Sequence, residues 1–95
     1  MIVRLMGEGQ YRVPDDAVER LNQLDDDAHA AVEANDEPKL DGLLDEMWEL
    51  VQSEGERLPD NDLSASDGAI PPSDLTLDET RRLFSYEGLI PDPPK

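Results

Sequence analysis

The first thirteen residues constrain this chain more than any later stretch. Ile2 to Met6 and Gln10 to Val13 carry β-branched and aromatic side chains, and between them Gly7 and Gly9 bracket Glu8. Two short runs of this kind joined by a glycine-containing loop fold back as a β-hairpin. Pro14 closes the second strand, since it has no N–H to give a ladder. Side chains alternate faces along a strand, so Ile2, Arg4 and Met6 share one side while Val3 and Leu5 share the other. Arg4 therefore sits on the less apolar face.

After Pro14 the period changes from two to between three and four. Val18, Leu21, Leu24, Ala28, Ala31 and Val32 form one apolar stripe, which predicts a helix running to about Ala34 with Asp25, Asp26 and Asp27 mostly facing water. Asp15 or Asp16 can cap it, and Asp16 with Glu19 three residues on forms an acidic version of the capping box. Asn35 can end it in the left-handed conformation. Asp36 can then cap a second helix with Pro38 in its first turn, along which Leu40, Leu43, Leu44, Met47, Trp48 and Val51 make a second stripe, and Gly55 stops it. A connection as short as Asn35 to Glu37 forces antiparallel neighbours, so the stripes face each other in a helical hairpin.

From Glu56 to Ser73 the chain turns rich in Pro, Asp, Ser and Gly. With only Leu58, Leu63, Ala69 and Ile70 to anchor it, this stretch reads as an extended connector over the surface rather than a domain of its own. Thr76 and Glu79 then make a capping box that opens a short third helix through Leu83 and Phe84, with Gly88 as its stop. Leu89 and Ile90 should tuck in before a flexible Pro-rich tail over residues 91–95, leaving residues 1–90 as a single domain.

The opening hairpin, followed by helices and by Leu75-Thr-Leu-Asp-Glu-Thr-Arg-Arg-Leu83 and Glu87-Gly-Leu-Ile-Pro91, resembles the PspA-associated protein family (PspAA) of bacterial and archaeal phage-shock systems. The resemblance runs over nearly the whole chain. It implies a small accessory protein encoded beside PspA, a coiled-coil membrane-remodelling protein, with a role in binding or regulation during envelope stress and with no catalytic residues. The fold expected is α+β: an N-terminal β-hairpin packed on an antiparallel helical hairpin, with an extended C-terminal segment and a short third helix.

Charge narrows the partners. Eight Lys plus Arg against 24 Asp plus Glu leave a net charge of −16, which repels nucleic-acid phosphates and anionic lipid head groups and attracts cationic partners. The same field opposes self-association unless a specific interface offsets it, which keeps a homo-oligomer within reach. No run approaches the roughly 18–20 apolar residues of a membrane span, and the first residues lack the regions of a signal peptide. With no cysteine there is no disulfide to signal an oxidising compartment. The expected location is cytoplasmic, at the inner face of the membrane only through the partner.

The residues that could carry chemistry are few. His29 is the single histidine, and Asp25 and Glu33 four residues to either side share its helix face, the spacing of a carboxylate–imidazole site. One imidazole without thiolates falls short of the usual zinc and di-iron sets, so a solvated helix face is the better reading. The Asp41/Asp45 and Asp45/Glu49 pairs lack any sign of the desolvated cleft that would separate their pKa values. The Asp60, Asp62, Ser64 and Asp67 run lacks the glycine and terminal glutamate of a calcium loop. No serine stands in a nucleophile setting. No cofactor, metal or catalytic residue is therefore expected. The candidate partner-binding residues are Arg4, Tyr11, Arg12 and Trp48, with core packing the first reading of Trp48 and pairing with neighbouring acids the bland reading of the arginines. Rivals to the accessory protein are a small acidic metal-dependent enzyme or metal carrier, and a halophilic domain of unrelated role.

Overall fold

The hairpin forms where the sequence places it. In the computed structural model, which describes residues 1–59, 61–62, 65–75 and 77–83, β1 (Ile2–Leu5) pairs antiparallel with β2 (Gly9–Arg12), with Val3 opposite Tyr11 and Arg4 opposite Gln10. The Glu8 N–H donates to the Leu5 carbonyl at 2.9 Å, and Gly7 takes φ +87° at the third position of that turn. A type II turn requires positive φ there, which a residue with a Cβ adopts only at a cost.

Helix α1 (Asp15–Glu33) begins one residue earlier than a capping aspartate would place it. Pro14 is the N-cap, extended at φ −70° and ψ 159°, and its carbonyl already accepts from the Val18 N–H. No side chain caps the end, so the Asp16 and Glu19 box does not form. Asp15 and Asp16 instead lie in the first turn, where a negative charge meets the positive end of the helix dipole. Asp25 is a second correction: Asp26 and Asp27 are exposed as expected, but Asp25 is only 2% exposed. The reason is periodic. Asp25 stands four residues after Leu21 and three before Ala28, which places it on the stripe itself.

The α1 end is a Schellman motif: the Asn35 N–H donates to the Val32 carbonyl at 3.1 Å, the Asp36 N–H to Ala31 at 2.9 Å, and Asn35 is left-handed at φ 56°. Asn35→Ala should cost about 1–2 kcal/mol, the penalty for an ordinary side chain in that region. Urea titration of both proteins checks this, with Asn35→Gly expected to be at least as stable as wild type.

Helix α2 (Glu37–Glu54) starts with Asp36 Oδ1 accepting from the Lys39 N–H at 3.3 Å and with Pro38 in the first turn. It lies antiparallel on α1. Gly55 ends it in an extended conformation, where a Cβ would come within 2.5 Å of the Val51 carbonyl oxygen and 3.3 Å of the Arg12 carbonyl oxygen. Glycine is required there by close approach, not by an unusual φ.

The connector is more ordered than its composition suggests. It supplies two edge strands, β3 (Glu56–Arg57) antiparallel to β2 and β4 (Gly68–Ile70) parallel to β1, giving a four-stranded sheet in the order β3-β2-β1-β4. Strands of two and three residues are too short to show alternation, and their order comes from the backbone groups of a hairpin already in place. Val3, Leu5, Tyr11, Val13 and Ile70 point from the sheet into the core, meeting Val18, Leu21 and Ala28 of α1 and Leu40, Leu44, Met47 and Val51 of α2. Leu50 joins this core although its place off the main stripe hid it, while Leu24, Leu43 and Trp48 are only partly covered. On the other sheet face the connector lies across Gln10, whose amide donates to Ser66 Oγ at 2.6 Å, and buries Leu58. Helix α3 (Leu77–Leu83) packs against α1 and buries Thr80. Leu63, Thr76, Phe84, Gly88, Leu89, Ile90 and the 91–95 tail lie outside the described residues.

Candidate partner-binding surfaces

Strand alternation separates the four candidate residues. Arg4 and Arg12 stand exposed on the outer sheet face, and among the described residues neither is engaged in an ion pair. Arg4 borders a small cleft of about 140 Å³ with Gly9, Gln10, Leu58, Pro59 and Asp62. Arg12 borders a shallow hollow of about 310 Å³ with Pro14, Glu54, Gly55 and Glu56.

Tyr11 faces the other way. It is 6% exposed within the core, and its hydroxyl donates to Glu8 Oε1 at 3.3 Å. Burial pushes its phenol above the usual value, the Glu8 charge and hydrogen bond add to this, and Arg57 opposes them. Trp48 lies at the seam between α2 and the end of β4, packed partly against the core, with Nε1 donating to the Pro71 carbonyl at 3.0 Å. The structure thus brings Arg4 and Arg12 to one face and leaves Tyr11 and Trp48 elsewhere.

Glu8 is the residue that sequence reasoning passed over. It looks like a turn filler, yet Oε1 accepts from Tyr11, Oε2 accepts from Gln52 Nε2 of α2 at 3.2 Å, and its carbonyl accepts from Arg57 of β3 at 3.1 Å. The one hint was its spacing, three residues before a tyrosine across a tight turn. Through these bonds the turn is tied to α2 and to β3.

The possible chemical groups are spread out. His29 Nε2 lies 3.3 Å from Glu33 Oε1 with both side chains substantially exposed, and among the described residues no three His, Asp, Glu or Cys side chains converge as metal ligands would. Asp67 is used structurally, its Oδ2 accepting from the Ile2 N–H at 2.9 Å. Asp41 has its pKa raised, first by burial and then by the charges of Glu37 and Asp45 one turn to either side. A carboxyl raised in the folded state stabilises below its unfolded pKa, near 3.8, and that contribution is lost as pH rises through the folded value. Asp41→Asn should therefore stabilise the neutral-pH protein by about 0.5 kcal/mol, the scale of two relieved like-charge pairs, and the gain should vanish below the unfolded pKa. Thermal melts of both proteins at neutral and strongly acid pH test this.

The helical hairpin, residues 15–54, holds 14 of the 24 carboxylates and only two basic side chains, Arg20 and Lys39. One layer is thus strongly acidic, while Arg4, Arg12 and Arg57 belong to the sheet. This hairpin-first arrangement of sheet and acidic helices accompanies a match of the family model for PspA-Associated protein to residues 1–92. The chain belongs to the PspA-associated protein family. No curated protein and no solved structure matches it. The PspAA match takes in every element described, from β1 through α3. Among the described residues of this PspAA chain no helix is long and apolar enough to cross a membrane.

Proposed function

We propose that this protein is a non-catalytic accessory protein of a phage-shock system that binds a PspA-like helical protein and regulates it. The observation that carries this reading is the PspAA match over residues 1–92, a family named for association with PspA. The division of charge supports it. An acidic helical layer steers a cationic partner over long range, and the exposed Arg4 and Arg12 on the opposite layer offer directed hydrogen bonds to carboxylates at short range. The protein reaches the inner face of the membrane through its partner, since anionic head groups repel a net charge of −16.

The test is a titration against the PspA homologue from the same genome at low and high salt. A reversible complex is expected, with an on-rate that falls steeply as the Debye length shrinks from about 30 Å at 0.01 M salt to about 10 Å at 0.1 M. Arg4→Ala and Arg12→Ala should act mainly on the off-rate. No complex at roughly 50 μM in either salt, an affinity too weak for a dedicated adaptor, would overturn the proposal.

A further inference from the structure

Helix α3 cannot stand alone. Its seven residues fall well short of the roughly 12–15 that hold a helix in water unaided, so it depends on its seat against α1. On α1, Arg20 and Leu24 border an open hollow shared with α2, while Leu21 and Ala28 lie in the core, which leaves α3 the remaining side. At about 100° per residue that side carries Asn22, Asp25 and His29, roughly opposite Arg20. Asn22 and His29 are half-buried, Asp25 is 2% exposed, and Thr80 of α3 is 1% exposed. The seam therefore closes over a carboxylate and a hydroxyl, where the main core closes over Leu21, Leu44 and Met47.

A polar seam opens at small cost. Parting two leucines wets apolar surface, but a buried carboxylate and hydroxyl regain the hydration they gave up. The tether permits it. Ile70 and Pro71 are buried and the Pro71 carbonyl accepts from Trp48 Nε1 at 3.0 Å, so the chain is held as far as residue 71. Pro72 to Leu75 belong to no strand or helix, and α3 can swing on them.

The charges of α3 are also a poor match for the helix beneath it. α1 carries seven carboxylates against one arginine, whereas α3 sets Asp78 and Glu79 against Arg81 and Arg82 and brings no net positive charge. A helix of similar shape with cations in place of those two acids meets the field of α1 better.

We infer that α3 is a detachable latch over a helix-binding strip of α1, displaced when a basic helix of the partner takes its place on Asn22, Asp25 and His29. This rests on the adaptor reading above for the partner and adds the regulation of its site. The strip is open only while α3 is away, so the apparent affinity for an incoming helix is reduced by the open fraction.

The probe is a labelled peptide of residues 74–86 carrying Asp78→Lys and Glu79→Lys, set beside the same peptide with Thr80→Asp added. In the full chain, Thr80→Asp puts a second carboxylate into the seam and should release α3, while Thr80→Ser keeps the hydroxyl and should leave it seated. Amide exchange comes first. In wild type the amides of α3 should exchange ahead of those of α1 and α2, and in Thr80→Asp about tenfold faster again, with α1 and α2 still protected. The basic peptide should then bind Thr80→Asp about tenfold more tightly than wild type or Thr80→Ser, as expected if α3 is away about a tenth of the time in wild type. Amide shifts should centre on Asn22, Asp25 and His29, and the peptide with Thr80→Asp should bind more weakly. Protection of α3 equal to that of α1 in wild type, equal binding of both peptides, equal affinity for the three proteins, or shifts centred elsewhere would overturn the inference. The PspA homologue separates the two proposals. If it binds wild type and Thr80→Asp equally, the latch inference fails and the adaptor reading stands; if it binds neither while the peptide docks on the strip, the adaptor reading fails and the latch remains.

Discussion

Leu44→Ala should remove about 2–5 kcal/mol of folding stability, the range for deleting a fully buried leucine side chain and leaving part of its volume empty. Leu44 is 0% exposed and sits in the middle of α2, facing the core shared by α1 and the sheet. A domain of this size has a total stability of roughly 5–15 kcal/mol, so one such change takes a large share of it. At about 4–8 °C per kcal/mol the melting temperature should fall by roughly 10–30 °C. Circular dichroism melts measure it directly. A loss below about 1 kcal/mol would mean that the helices close over the gap and that the α1/α2 layer is more plastic than its burial indicates.

Trp48→Ala should cost less, about 2 kcal/mol, because Trp48 is only partly covered and a fully buried tryptophan loses about 3–5. Trp48→Phe isolates the indole N–H that donates to the Pro71 carbonyl; losing that bond while keeping most of the ring contact should cost about 1 kcal/mol. The pair of substitutions separates packing from hydrogen bonding. A near-neutral Trp48→Ala combined with lost binding to the PspA homologue would instead make Trp48 an anchor of the interface, as exposed tryptophans often are.

Much of the fold was legible because its signals are local. Gly7 and Gly9 around Glu8 mark the turn, Asn35 marks the left-handed stop, and Asp36 with Pro38 marks the start of α2; each works through a neighbour within a few residues. The edge strands were not legible, since Glu56–Arg57 and Gly68–Ile70 carry no alternation and take their geometry from partners in β1 and β2 far away in sequence. Asp25 was misplaced because residue type was weighed above position: an aspartate among aspartates looks solvated, while its spacing from Leu21 and Ala28 puts it inside. Among the candidate contact residues, alternation correctly exposed Arg4. It also places Tyr11 on the face shared with Val3, a step that needs the register of the hairpin and not only the order of residues in one strand.

The parallel pairing of β4 with β1 has a consequence in time. It joins groups such as Ile2 and Asp67, 65 residues apart, while every other part of the sheet is closed by nearer segments. Loop-closure entropy opposes so distant a contact until the helices have brought its ends together, so β4 should dock last during folding and detach first in the native state. The amides of Met6 and Asp67, which donate to Ile70 and Ile2, should then exchange with solvent ahead of those bonded between β1 and β2. Each such opening bares one side of β1, and for that interval the first strand of the chain is an acceptor for a strand from another molecule.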